Sequence, residues 1–115
     1  MFTPATRDAV MDGTSIAALC THASLHTADP GGTGASEVAG GSYARVAVTW
    51  AASSGGTKTL TAAVTLQIPA GTTFTHFGLW SAVSGGTFRG GELLSALQSY
   101  PTGGTFDLSI SIPST

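Results

Sequence analysis

Charge is what this sequence has least of: Lys, Arg, Asp and Glu together make 9% of its 115 residues, against about 25% in an average soluble domain. The four basic residues, Arg7, Arg45, Lys58 and Arg89, are scattered, and the net charge is −2. Nucleic-acid binding wants a basic stripe that displaces counterions from phosphates, so no nucleic-acid partner is expected. Cysteine occurs once, which excludes a disulfide within the chain. Cys20 lies in the apolar run Ile16-Ala-Ala-Leu-Cys20 and reads as a small buried hydrophobe rather than a reactive thiol; an intermolecular disulfide is the open alternative. Long hydrophobic runs are missing too. Without about 18 consecutive apolar residues no transmembrane helix, and no membrane partner, is expected. The first residues mix Arg7, Asp8 and Asp12 with apolar side chains. That is unlike a secretory signal, and synthesis in the cytoplasm is expected.

Small side chains fill the space that charge leaves. Ala, Gly, Ser and Thr supply 64 of the 115 residues. Solubility then rests on hydroxyls and exposed backbone, and a weakly charged surface resists self-association poorly. Much of it is expected to be covered by neighbours. The length fits one domain over 1–115, with 1–14 as an N-terminal helix or arm.

Thr3 can cap a helix and Pro4 fits its first turn, so 4–12 reads as a short helix closed by Gly13. After it the period drops to two. Alternation marks strands over 16–26, 43–50, 58–68, 73–81 and 104–112. The run from Lys58 to Ile68 is the cleanest. In 73–81 both parities are partly apolar, as in a central strand buried on two faces. Segment 91–100 is open between a short helix and a strand with a loop. Six Gly-Gly pairs punctuate the runs, with Ser54-Gly55-Gly56 and Ser84-Gly85-Gly86 placed like hairpin tips. Short strands with glycine turns predict a mainly β fold, an antiparallel β-sandwich or jelly-roll-like arrangement with a short N-terminal helix. Leu60, Val64, Leu66, Trp50, Phe74, Trp80, Phe106, Leu108 and Ile110 should supply core.

No pattern carries catalysis. His22 and His26 share a strand face about 13 Å apart, too far to grip one ion. There is no Gly-x-Ser-x-Gly elbow, no phosphate-cradling loop and no placed carboxylate pair. No catalytic residue, cofactor or metal is therefore expected. Most aromatic residues are expected in the core, leaving a minority for an interface or a sugar. Glu37 and Arg45 flank Gly40-Gly41 and can pair across it; an exposed pair there would add only about 0–1 kcal/mol.

One spaced set of blocks is more specific. Ser24-Leu25-His26-Thr27-Ala28-Asp29-Pro30-Gly31 is followed by Gly34-Ala35-Ser36-Glu37-Val38, Tyr43-Ala44-Arg45, Val48-Thr49-Trp50, Pro69-Ala70-Gly71-Thr72-Thr73 and Thr75-His76-Phe77-Gly78-Leu79-Trp80. The set, over about 24–91, resembles small structural proteins of tailed phages and prophages, especially those of actinobacterial hosts. Such proteins are labelled tail fibre, minor tail or head-decoration (capsid decoration) proteins. The resemblance implies a virion subunit made in the host cytoplasm, with no catalytic residues to carry over. Its partners would be capsid or tail subunits, and a homo-oligomer, with a trimer favoured, is expected. A carbohydrate- or receptor-binding β module is the alternative. A chain of this size has a radius of gyration near 13 Å, so it must sit on a larger lattice rather than form a long fibre alone.

The 27–42 segment is the longest loop, and long loops often bind. Asp29, Pro30, Gly31, Glu37, Tyr43 and Arg45 are the candidate partner contacts. The competing view of Asp29-Pro30-Gly31 is a turn and nothing more. Deleting 31–36 is expected to leave the isolated domain folded yet weaken incorporation into particles; normal incorporation would refute the contact role. Terminal elements, through Val10, Met11 and Ile112, are expected to help assembly.

Overall fold

The computed structural model describes residues 2–13, 15–52 and 57–113. Helix α1 (Pro4–Met11) begins where Thr3-Pro4 predicts: the Thr3 hydroxyl accepts the Thr6 amide at 3.3 Å, and Gly13 at φ +103° ends it. The Thr3 amide donates to Arg89 O at 2.9 Å and Phe2 bridges Gly90, which fastens this arm to a sheet edge.

The expected strand over 16–26 starts late. Ser15 caps a single helical turn, α2 (Ile16–Leu19), by accepting the Ala18 amide at 3.2 Å. Strand β1 then covers His22–His26. A local hydroxyl cap competes with the ladder here, and small alanines fit either conformation. Of the expected 43–50 strand only β2 (Val46–Ala47) pairs, with Trp50 bridging Leu60.

Four strands form one antiparallel sheet in the order β2-β1-β5-β6, with β5 (Thr72–Trp80) and β6 (Phe88–Tyr100) joined by a hairpin at Ser84-Gly85-Gly86. The other proposed hairpin tip, Ser54-Gly55-Gly56, lies outside the described residues. β6 resolves the ambiguous 91–100 segment as strand. Between Phe74↔Gln98 and His76↔Leu93, five residue steps on β6 oppose two on β5, a wide bulge. Leu93 and Leu97 are exposed there, while Leu94 packs on the core.

The second layer is a kinked two-stranded ribbon. β3 (Thr57–Thr59) pairs with β8 (Ser111–Pro113), and β4 (Val64–Ile68) with β7 (Gly104–Leu108). The Leu60 amide donates to Ile110 O at 3.3 Å, so four steps from Leu60 to Val64 oppose two from Ile110 to Leu108. The expected 58–68 and 104–112 strands are thus each broken in two. An insertion of two residues preserves parity, so the side chains keep facing the core across the break.

Sheet and ribbon enclose a sandwich-like core in which Phe74, Leu25, Leu66, Leu79, Leu108 and Ile110 are fully buried. Leu60 joins them, whereas Trp50, Val64 and Phe106 are partly buried at the margin. Trp50 stays there because its indole N–H donates to Cys20 O at 2.8 Å. The Phe74 ring stacks on Tyr100 and meets Phe106 edge-on, with centroids 5.7 and 5.1 Å away. Cys20 is fully buried, and burial pushes its thiol pKa up to about 12. It behaves as a hydrophobe. Trp80 is buried as well, but it points from β5 to the opposite face of the sheet.

Candidate functional site

That opposite face carries Ser24 and His26 of β1 and Gly78 and Trp80 of β5, brought side by side by the register Ser24↔Gly78 and His26↔His76. Residues 27–36 fold back over it as an Ω-loop. The Thr27 amide donates to Ser36 O at 2.9 Å and closes the loop, and Pro30 O accepts the Gly34 and Ala35 amides, each at 3.1 Å. Asp29 Oδ1 accepts the Gly31 amide at 2.9 Å, the turn its side chain predicts. Pro30 is buried against Gly91. Gly34, at φ +79°, lies so close to the sheet that a β-carbon there would sit 2.4 Å from the Trp80 ring and 2.9 Å from Phe88.

One chain of hydrogen bonds ties the loop down. The Trp80 indole N–H donates to Ser24 Oγ at 2.8 Å, Ser24 Oγ lies 2.7 Å from His26 Nε2, and His26 Nδ1 lies 2.7 Å from Ala35 O. The two ends fix its polarity. Indole can only donate and a carbonyl can only accept, so Ser24 donates to Nε2 and the neutral imidazole carries its proton on Nδ1. Burial holds the His26 pKa below its usual range; the Ala35 carbonyl and the Glu37 charge oppose that shift without reversing it.

A serine hydroxyl within hydrogen-bond reach of a histidine is also how a nucleophile is activated. Here Ser24 and His26 are both 0% exposed. A methyl group on Gly78 would already lie 2.6 Å from His26 Nε2. No carbonyl carbon can approach Ser24 Oγ under the closed loop, and the pair serves as a fastening.

Beyond the Ω-loop the chain builds a clamp. Arg45 Nε and Nη2 donate to the two Glu37 carboxylate oxygens at 3.0 and 2.9 Å, and Nη1 donates to Ala82 O and Gly85 O at 3.1 and 2.8 Å. The guanidinium carbon sits 3.5 Å from the centre of the Trp80 ring. Tyr43 OH accepts the Leu25 amide at 3.0 Å and donates to Glu37 Oε2 at 2.9 Å. Burial alone would push the Glu37 carboxyl up, but hydrogen bonds from Arg45 and Tyr43, with the Arg45 charge, outweigh it and hold the pKa below the usual range. Burial pushes the Tyr43 phenol up.

The Glu37–Arg45 pair therefore exists, but it is not the exposed pair expected from the sequence. Arg45 and Glu37 retain 9% and 22% of their side-chain exposure. Every guanidinium nitrogen is used, which joins the loop to the 81–87 hairpin.

The clamp forms one wall of an open groove of about 440 Å³, lined also by Val38, Ala39, Gly40, Ala44, Val83 and Ser84. Three of the six nominated residues, Glu37, Tyr43 and Arg45, meet here. Asp29 and Gly31 are exposed on the separate turn, and Pro30 is a packing residue. Sequence reading missed Ser24, His26 and Trp80 as the loop's anchors and Val83 as a groove residue. The available signal was a glycine in a central strand, Gly78, facing two polar residues across β1. Segment 31–36 is packing as well as surface: it supplies Gly34 and Ala35, and its loss would uncover Trp80 and Phe88. Among the described residues no group of three His, Cys, Asp or Glu side chains is placed to hold a metal ion. No helix among them is long and apolar enough to cross a membrane.

The sequence model of the family described as "Podophage GP4 fiber I protein gp80" matches residues 4–112. No curated protein matches the chain.

Proposed function

The chain belongs to the podophage GP4 fiber I protein gp80 family, a structural component of a tailed-phage virion, and from that premise we propose that it is a non-enzymatic fibre- or minor-tail-type subunit seated on a larger symmetric lattice. The observation that carries this reading is the match over nearly the whole chain. A fibre description favours the tail over a head-decoration role. The actinobacterial host rests on the sequence blocks between 24 and 91 and stays part of the proposal. So does one domain over 1–115.

The groove beside the Glu37–Arg45 clamp is the partner contact we assign. Its polar wall is held rigid by bonds within the chain, so a partner meets a preformed surface with little ordering cost. Val83, 56% exposed at its rim, is its free apolar contact. Tandem mass spectrometry of purified virions should find the protein at a fixed copy number; particles that lack it would overturn the role. Val83→Glu should leave the urea midpoint unchanged, as surface substitutions usually do to within about 0.5 kcal/mol. It should lower incorporation into particles several-fold. Normal incorporation would remove the groove from the interface.

Self-association belongs to the same proposal: the charge deficit supports a homo-oligomer, and the resemblance to phage fibre and decoration proteins favours a trimer. Met11, 85% exposed at the end of α1, is available for it, but Ile112 is only 5% exposed and belongs to the core. Sedimentation over a tenfold concentration range should show a species heavier than the 11.4 kDa chain. A single monomeric species throughout would leave only lattice-driven contacts.

A further inference from the structure

We propose that His26 is an acid-sensitive latch: when its Nε2 gains a proton, the 27–36 Ω-loop lifts from the sheet and uncovers Trp80 and Phe88. The inference rests on the geometry of the closed loop and is independent of the virion role.

The hydrogen-bond chain runs in one direction, from Trp80 through Ser24 and His26 to Ala35. It has no place for a second imidazole proton. A proton on Nε2 would face the Ser24 hydroxyl hydrogen. Ser24 would have to turn that hydrogen away while accepting from both the Trp80 indole and the imidazolium. Ser24 and His26 are fully buried, so water cannot take up the displaced hydrogen while the loop is closed.

The surrounding charges do not solve the problem. Glu37, bridged to His26 across the loop, is the one carboxylate facing it among the described residues, and both its oxygens are engaged by Arg45 and Tyr43. Arg45 and, across β5, His76 add positive charge that disfavours the imidazolium. From β6 the Phe88 ring meets it edge-on at 6.0 Å.

The protonated form is relieved by opening, since the Ω-loop supplies the Ala35 acceptor and the cover. The sign follows from linkage. His26 has a lower pKa closed than open, so the open state binds the extra proton. Closure is fully favoured above the ordinary histidine value of 6.5 and weakens as pH falls below it towards the closed-state pKa.

The test is hydrogen exchange by NMR on the full chain between pH 7.5 and 5, corrected for intrinsic exchange. It follows the Trp80 indole proton and the Thr27 amide, with the Leu66 amide of β4 as reference. Uptake of one proton on opening should lower protection of the first two about tenfold per pH unit below about 6.5; Leu66, exchanging through global unfolding that frees the same imidazole, should fall in parallel but stay well more protected than they are. His26→Gln keeps a donor and an acceptor but cannot titrate, and its loop protection should be flat with pH. Three results would overturn the latch: flat protection in the natural chain, protection of Trp80 and Thr27 no lower than that of Leu66, or the same slope in folded H26Q. If H26Q does not fold, the His26 ring shift in the natural chain decides. Loss of Trp80 protection that tracks ring protonation supports the latch. A ring that titrates near 6.5 while Trp80 stays protected refutes it.

Discussion

Arg45→Met should lower stability by about 3 kcal/mol at neutral pH, read as a reduced urea midpoint with an unchanged denaturant slope. The substitution keeps most of the side chain's length and removes its donors. Glu37 would then be left largely buried without its cation, and the Ala82 and Gly85 carbonyls without their Nη1 donor. Removing one member of a buried ion pair typically costs about 3–5 kcal/mol. The lower figure applies because Glu37 keeps 22% of its exposure, so water compensates in part. Arg45→Lys should recover only a fraction, since an ammonium cannot make the two-pronged contact or lie flat on Trp80. The double variant with Glu37→Gln should be less destabilised than Arg45→Met alone, because the orphaned charge is gone.

Acidity gives a second readout with a definite sign. In the natural chain the Glu37 pKa is lowered in the folded state, so its contribution is present above the ordinary carboxyl value of 4.5 and fades as pH falls through the folded value. In Arg45→Met burial is opposed mainly by the Tyr43 hydrogen bond, and the Glu37 pKa should rise instead. The difference between the two proteins should be widest at neutral pH and narrow by about pH 4. A difference that stays constant across that range would mean that Arg45 acts through packing alone.

The elements that local chemistry decides were legible in the sequence. Thr3, Pro4 and Gly13 specify α1 because a cap, a fixed φ and a left-handed residue each act over a few bonds. Strand β5 betrays its central place by being apolar on both parities, and both of its faces are covered, one by the core and one by the Ω-loop. What failed to show was long-range or even-numbered. The two-residue insertion between β3 and β4 preserves alternation, so 58–68 looks unbroken. Ser15 is one serine among thirteen, and nothing local distinguishes the one that caps α2. Glu37 and Arg45 could be paired from their spacing. Their burial could not, because it depends on Ala82, Gly85 and Trp80, which lie some forty residues on. The Ser24–His26 fastening is invisible for the same reason: its meaning lies in the β1–β5 register.

That register makes Gly78→Val the most severe single change expected outside the hydrophobic core, costing more than about 3 kcal/mol and giving little or no folded protein. Intrinsic preference points the other way, since valine is favoured over glycine in strands by up to about 1 kcal/mol. Gly78 has an ordinary extended backbone, so no torsional strain confuses the comparison. Space decides it. A β-carbon at 78 would lie 2.6 Å from His26 Nε2, 2.7 Å from Ser24 Oγ and 2.9 Å from the Phe88 ring. None of the three can retreat cheaply: Ser24 and His26 hold each other, Trp80 and Ala35, and Phe88 is pinned between Trp80 and His26. Valine adds two more carbons to that overlap. Gly32→Ala is the control, because Gly32 has nothing within 4 Å of the added carbon and no left-handed φ. It should be neutral or slightly stabilising through reduced freedom of the unfolded chain. Soluble yield and urea midpoint of the two variants, measured side by side, check the pair. A Gly78→Val protein with the natural midpoint would mean that the Ω-loop does not close on this face as described, and the His26 fastening would go with it.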